Sequence, residues 1–228
     1  MNDILVQCTY FGAFLSIAAY MIGEALKKKC KVCNPLLIAI ILVILFLKVF
    51  HIDYETYNDG AKYISYLLTP ATVCLAIPLY RQINILKTHF KEIIIGICSG
   101  VFASTGSVFV LSYLFALSHE HYVTLLPKSI TTAIGIGLSN EMGGVETITI
   151  AVIIVTGVLG NLIAEPVLKL FRIKNPVAKG LAIGTAAHAI GTTKAMEMGE
   201  IEGAMSSLSI AVAGLITVAT ASMFANLM

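Results

Sequence analysis

The chain has 228 residues, of which 57% are hydrophobic and only 12% charged, and its net charge is +2. Soluble domains carry about 25% charged residues, so the composition excludes a water-soluble globular protein and points to an all-α polytopic membrane protein. The small net charge says little by itself, and no nucleic-acid partner is expected from it.

In chain order, Met1-Asn2-Asp3 offers neither a basic region nor a small-residue cleavage site, so the apolar run at 4–26 reads as a retained first span rather than a cleaved signal. A basic loop follows, with Lys27, Lys28, Lys29 and Lys31. Its Cys30 and Cys33 form a C-x-x-C pair without the partners a zinc site needs, and read as two ordinary thiols. A second span at 35–50 leads to a loop at 51–60 that holds Asp53, Glu55 and Asp59 but no Lys or Arg. The third apolar segment, 61–80, is interrupted at Thr69-Pro70 and near Pro78. Arg81, Lys87 and Lys91 make the next stretch basic, before a fourth span at 92–118 that is rich in glycine and serine. The connection 118–121 again lacks Lys and Arg.

Residues 145–170 form a fifth span, ending among Lys169, Arg172, Lys174 and Lys179. Cytoplasmic loops collect Lys and Arg. This places the loops at 27–31, 81–91 and 169–179 inside, and the N-terminus outside. The alternation then requires 122–144 to enter and leave on one face. That stretch is too short for two crossings of about 20 residues each, and Pro127 with Gly135, Gly137, Gly143 and Gly144 suits a re-entrant hairpin. The segment 177–198 dips from the inside in the same reading, and a sixth span at 203–228 closes the chain. The sum is about six full spans plus two broken elements in one transmembrane domain, 1–228. Its halves, 1–117 and 122–228, match element by element. The local likeness between them is confined to Leu68-Thr69-Pro70 and Leu126-Pro127, which leaves an inverted repeat and a chance match both open. There is no tryptophan, so tyrosine and phenylalanine supply the interfacial belt.

The broken elements carry the candidate site. Irregular polar backbone at membrane depth is tolerated only where protein buries it or it lines a cavity. In 180–194, Gly180, Gly184 and Gly191 are expected to loosen the helix, and His188 stands among them with Thr185 and Thr192. Ionisable residues in membrane segments are costly and usually functional, so anion binding or proton coupling by His188 is weighed above a merely packed histidine. In 122–144 the candidates are Lys128, Ser129, Thr131, Thr132, Asn140 and Glu141. Lys128 reads equally as a snorkelling lysine and as an attractor of anions. Thr69 and Thr72, either side of Pro70, complete the set. The glycines and serines of 92–118 read as close helix packing, and Glu165 as a solvated interfacial group. No nucleophile pair, phosphate loop, metal quartet or dinucleotide fingerprint is present, so neither an enzyme nor a cofactor is expected.

Leu125-Leu126-Pro127-Lys128-Ser129-Ile130-Thr131-Thr132, the run from Arg172 to Gly180, Gly184-Thr185-Ala186-Ala187-His188-Ala189-Ile190-Gly191-Thr192 and Glu202-Gly203-Ala204-Met205-Ser206-Ser207-Leu208 resemble the LrgB/CidB family, as does the stretch from Pro70 to Tyr80. The resemblance covers essentially the whole chain. It implies a multi-pass protein of the bacterial cytoplasmic membrane and two kinds of activity. One is control of murein hydrolase export and lysis, in the manner of holins and antiholins. The other is transport, as in a plant plastid relative that exchanges glycolate and glycerate and in bacterial members linked to pyruvate uptake. A smaller membrane protein of the LrgA/CidA type is the partner it implies, and a homodimer is the expected assembly. The residues favour transport of a small monocarboxylate, because a lytic lesion has no need of two polar broken elements converging at depth.

Overall fold

The computed structural model describes residues 10–29, 35–67, 70, 73–74 and 76–228, and among these the regular structure is entirely helical. The chain divides into two compact units, 1–74 and 75–228.

In the first unit, α1 (Phe11–Lys29) packs on α2 (Pro35–Val49) and on α3 (Tyr54–Ser65). Gly12 and Gly60 let α1 and α3 touch backbone to backbone, and Ser16 Oγ meets Tyr57 OH at 2.8 Å. The stretch expected as the loop 51–60 is largely α3. Asp53 holds an extended backbone ahead of it, Glu55 sits in its first turn and Lys62 in its last, a distribution that suits the helix dipole. Of the interruption expected at Thr69-Pro70, Thr69 lies outside the described residues, as do Thr72, Cys30 and Cys33.

The second unit begins with two short helices, α4 (Ala76–Arg81) and α5 (Ile83–Thr88). Three long apolar helices follow at intervals: α6 (Phe90–Leu114), α9 (Glu146–Leu170) and α11 (Glu200–Ala225). Among the described residues these are the helices long and apolar enough to cross a membrane. At 1.5 Å per residue each is about 37–39 Å long, against a hydrocarbon core of about 30 Å. By comparison α2, with 15 residues, reaches about 22 Å.

Between α6 and α9 lies a helical hairpin. Its outgoing limb is α7 (His119–Leu125), continued by a 3-10 turn at Leu126–Ser129, and its return limb is α8 (Thr132–Glu141). Pro127 leaves helical geometry, and Ile130 and Thr131 are extended, which turns the chain. The open end is tied to α9: Val145 N–H donates to Thr124 Oγ1 (2.8 Å), and Thr149 Oγ1 lies 2.7 Å from Ser139 Oγ and donates to the Thr124 carbonyl (3.1 Å).

The helix α10 (Pro176–Met198) is a second hairpin. Ala187 (φ −129°, ψ 15°) and His188 (φ 41°, ψ −140°) break it. Its neighbours on α11 show the reversal. Going out, Gly180 lies against Glu202 and Gly184 against Ser206 and Ser209; coming back, Thr192 bonds Ser206 and Met196 lies against Gly203. The glycines expected to loosen this segment instead let it pack closely, and the break falls between them.

The two hairpins enter from opposite ends of the unit. Along α9, Thr149 meets the open end of the first, and Ile153 contacts both Gly135 of the first and His188 of the second. Gly157 and Gly160 touch the tip of the second, and Asn161 and Glu165 its return limb. The tips therefore meet near the middle of α9. Each hairpin leads into a long helix, α9 or α11, and the two blocks run in opposite senses. Their ends differ in charge. Arg172 and Lys174 lie between α9 and the second hairpin, where Lys179 pairs with Glu202 (3.7 Å) and Arg81 lies 3.9 Å from Glu200. At the open end of the first hairpin stand His119, Glu120, His121, Asn140, Glu141 and Glu146, with no Lys or Arg among them.

Candidate functional site

Lys128 ends the outgoing limb of the first hairpin and turns back onto α6. Its ammonium donates to Ser104 Oγ and to Ser129 Oγ, each at 3.1 Å, and the two hydroxyls lie 2.9 Å apart. An ammonium has three N–H donors, and among the described residues the third meets no acceptor and no carboxylate is within ion-pair reach. One of the two serine hydrogens closes the Ser104–Ser129 bond, and the other has no acceptor among the described residues. One N–H and one O–H are thus left side by side, the donor pair that two carboxylate oxygens accept.

Ser104 and Ser129 also line a small cavity of about 10 Å³ with Val101, Thr105, Leu126, Ile130, Thr185, Ala213 and Thr217. That is space for about one water. Thr185 and Thr105 donate their hydrogens to the carbonyls four residues earlier, of Leu181 (2.7 Å) and Val101 (2.9 Å), which leaves their oxygen lone pairs to the cavity. The start of α8 at Thr132 and that of the return limb after His188 both lie at the tips, so two helix N-termini add partial positive charge there.

Lys128, Ser129 and Thr185 are thus brought together, with Thr131 and Thr132 at the same tip. His188 sits elsewhere. It is 3% exposed, and its Nε2 lies 3.0 Å from the carbonyl oxygen of Ile153, to which Nε2–H donates. Thr192 caps this arrangement, donating to the His188 carbonyl (2.9 Å) and meeting Ser206 Oγ at 2.7 Å. Gly184 and Gly191 are packing positions beside Ser206 and Ile183. Asn140 and Glu141 stand at the open end of the first hairpin, where Asn140 Nδ2 donates to Glu146 Oε2 (3.1 Å). The sequence reading missed Ser104, Thr105 and Thr217. The signal available for Ser104 was its place in the Gly100–Ser107 run, which is also what ordinary helix packing looks like. Among the described residues no cluster of His, Cys, Asp and Glu is arranged to hold a metal ion.

A profile of the LrgB-like family matches residues 16–227. The chain belongs to the LrgB family. Among its relatives are the antiholin-like LrgB proteins of Bacillus cereus strain B4264 and of Bacillus cereus strain AH187. Each is 41% identical over 218 residues, which cover 94% of this chain and 95% of the relative. No solved structure matches. The family match spans both hairpins and all three long helices of the second unit, so the LrgB assignment rests on the whole arrangement and not on the tip motif alone.

Proposed function

We propose that this LrgB-family protein is a secondary transporter of small monocarboxylates of the size of pyruvate, glycolate or glycerate. The observation that carries the reading is the Lys128–Ser104–Ser129 cluster, with one N–H and one O–H left over, between hairpin tips that reach it from opposite ends. An ionisable group at such depth marks a substrate or ion pathway, and convergent broken helices are where carriers hold their substrates. The proposed binding set is Lys128, Ser129 and Ser104, with Thr185 beside them. Proton coupling through His188 belongs to the same reading, since imidazole ordinarily titrates at about 6.5.

The test is counterflow of labelled pyruvate and glycolate in liposomes that hold the purified protein and a large trapped dye. Saturable exchange with the dye retained is expected, and Lys128→Met should remove it. For the coupling, His188→Gln keeps a donor toward Ile153 but cannot titrate. Uptake that loses its pH dependence supports proton coupling, and unchanged dependence ends that part of the reading.

The relatives' name favours a second reading, a membrane protein with an antiholin-like role in lysis control. Dye loss without substrate selectivity would speak for it. If neither flux is seen, the smaller LrgA/CidA-type partner is added and the assay repeated.

A further inference from the structure

A groove of about 470 Å³ runs between α6 and the outgoing limb of the second hairpin. His89, Glu92 and Asn175 stand at its mouth, on the basic end of the unit. Its α6 wall is small, with Gly96, Ser99 and Gly100, and its α10 wall alternates Ala178 and Ala182 with the larger Val177 and Leu181. The room along the groove lies over Gly96, Ser99 and Gly100, where α6 presents little side-chain bulk. At the mouth the outgoing limb begins with Asn175 Oδ1 accepting from the Val177 and Ala178 amides, and the partial positive charge of a helix start faces whatever enters.

Thr185 lines the groove, and Thr185 also lines the small cavity beside Ser104 and Ser129. The two spaces therefore share one wall residue. At that point a side chain at Gly100 would begin 2.9 Å from Thr185 Oγ1 and 3.1 Å from its Cβ. We infer that this groove is the aqueous access path from the basic, cytoplasmic end to the Lys128 cluster, and that the Gly100–Thr185 contact is its gate, closed in this conformation. A small carboxylate fits the groove, while the cavity beyond has room for about one water, so passage requires the outgoing limb to part from α6 at this contact. The ligand class rests on the transport reading above; the path itself rests on geometry.

The experiment uses single cysteines in the full-length protein after its native cysteines are replaced. Ser99→Cys and Ala182→Cys sit in the groove, and Val110→Cys, 60% exposed on the apolar outer surface of α6, is the control. A membrane-impermeant, charged thiol reagent is applied to inside-out and to right-side-out vesicles. Ser99→Cys and Ala182→Cys should react from the cytoplasmic side alone, and Val110→Cys from neither. Failure of both groove positions to react, or equal reaction from both sides, overturns the path even where counterflow is normal. Gly100→Leu tests the gate: Ser99→Cys labelling should persist in it while counterflow is lost, and retained counterflow overturns the gate. Sided labelling in a protein without any flux leaves the path standing and removes the transport reading, so the two can fail separately.

Discussion

His188 holds a backbone conformation that few residues with a side chain adopt, at φ 41° and ψ −140°. What offsets that strain is its ring, which reaches across to the Ile153 carbonyl and fixes the tip of the second hairpin to α9. His188→Ala removes the bond and keeps the strain, so it should destabilise by about 1–3 kcal/mol. Gly at the same position loses the bond but relieves the backbone, and His188→Gly should melt above His188→Ala. Thermal unfolding in detergent compares them, and Ala equal to or better than Gly would contradict this account. Lys128 is the opposite kind of residue: its side chain fixes no tip to a neighbouring backbone carbonyl but touches two hydroxyls. Lys128→Met should therefore lower binding far more than it lowers the melting temperature.

The second hairpin is a packing problem solved with glycine. A Cβ at Gly184 would meet the Ser206 carbonyl of α11, and one at Gly180 the Glu202 carbonyl, neither of which can move aside. Gly184→Ala should cost about 1–3 kcal/mol. Gly137, on α8, has open space around it, and Gly137→Ala should be neutral or stabilise by up to about 1 kcal/mol. Similar losses in both would show that the close seam is absent. These elements also mark how far the sequence could be read. The first hairpin was legible because charge alternation demanded a return to the same face and Pro127 supplied the turn. The second was legible as broken, but its glycines suggested looseness where they give closeness, because composition does not say what stands opposite a residue. Asn140 and Glu141 were drawn into the candidate site by their place in a polar run. Eight residues of helix separate Thr132 at the tip from Asn140, which is about 12 Å. Ser104 was passed over because serine in a span usually packs, and only the fold places it against Lys128.

At the scale of the whole second unit, the positive-inside rule would put the Lys and Arg residues around 169–179 and the cation-free open end of the first hairpin on opposite sides of the membrane. Met228 lies at the cation-free end, where its carbonyl contacts His119 Nδ1 at 2.6 Å. A phosphatase fused after Met228 should therefore be active, as it is when exported, and a fluorescent protein there should be dark; the reverse result would invert the orientation. The meeting of the two tips has an electrical consequence. Were the groove to fill with water as inferred, the potential of one side would reach down to Thr185, and the membrane voltage would fall over the remaining depth from Thr185 to the other face instead of the full bilayer of about 30 Å. The field there would be correspondingly steeper, and one elementary charge traversing that depth would feel about 2.3 kcal/mol per 100 mV. A carboxylate bound to the Lys128 ammonium would cross that field as a neutral pair, and the unaccompanied lysine would not. Voltage should then govern the return of the empty protein alone where no proton accompanies the anion, and act on the loaded step as well where His188 supplies one.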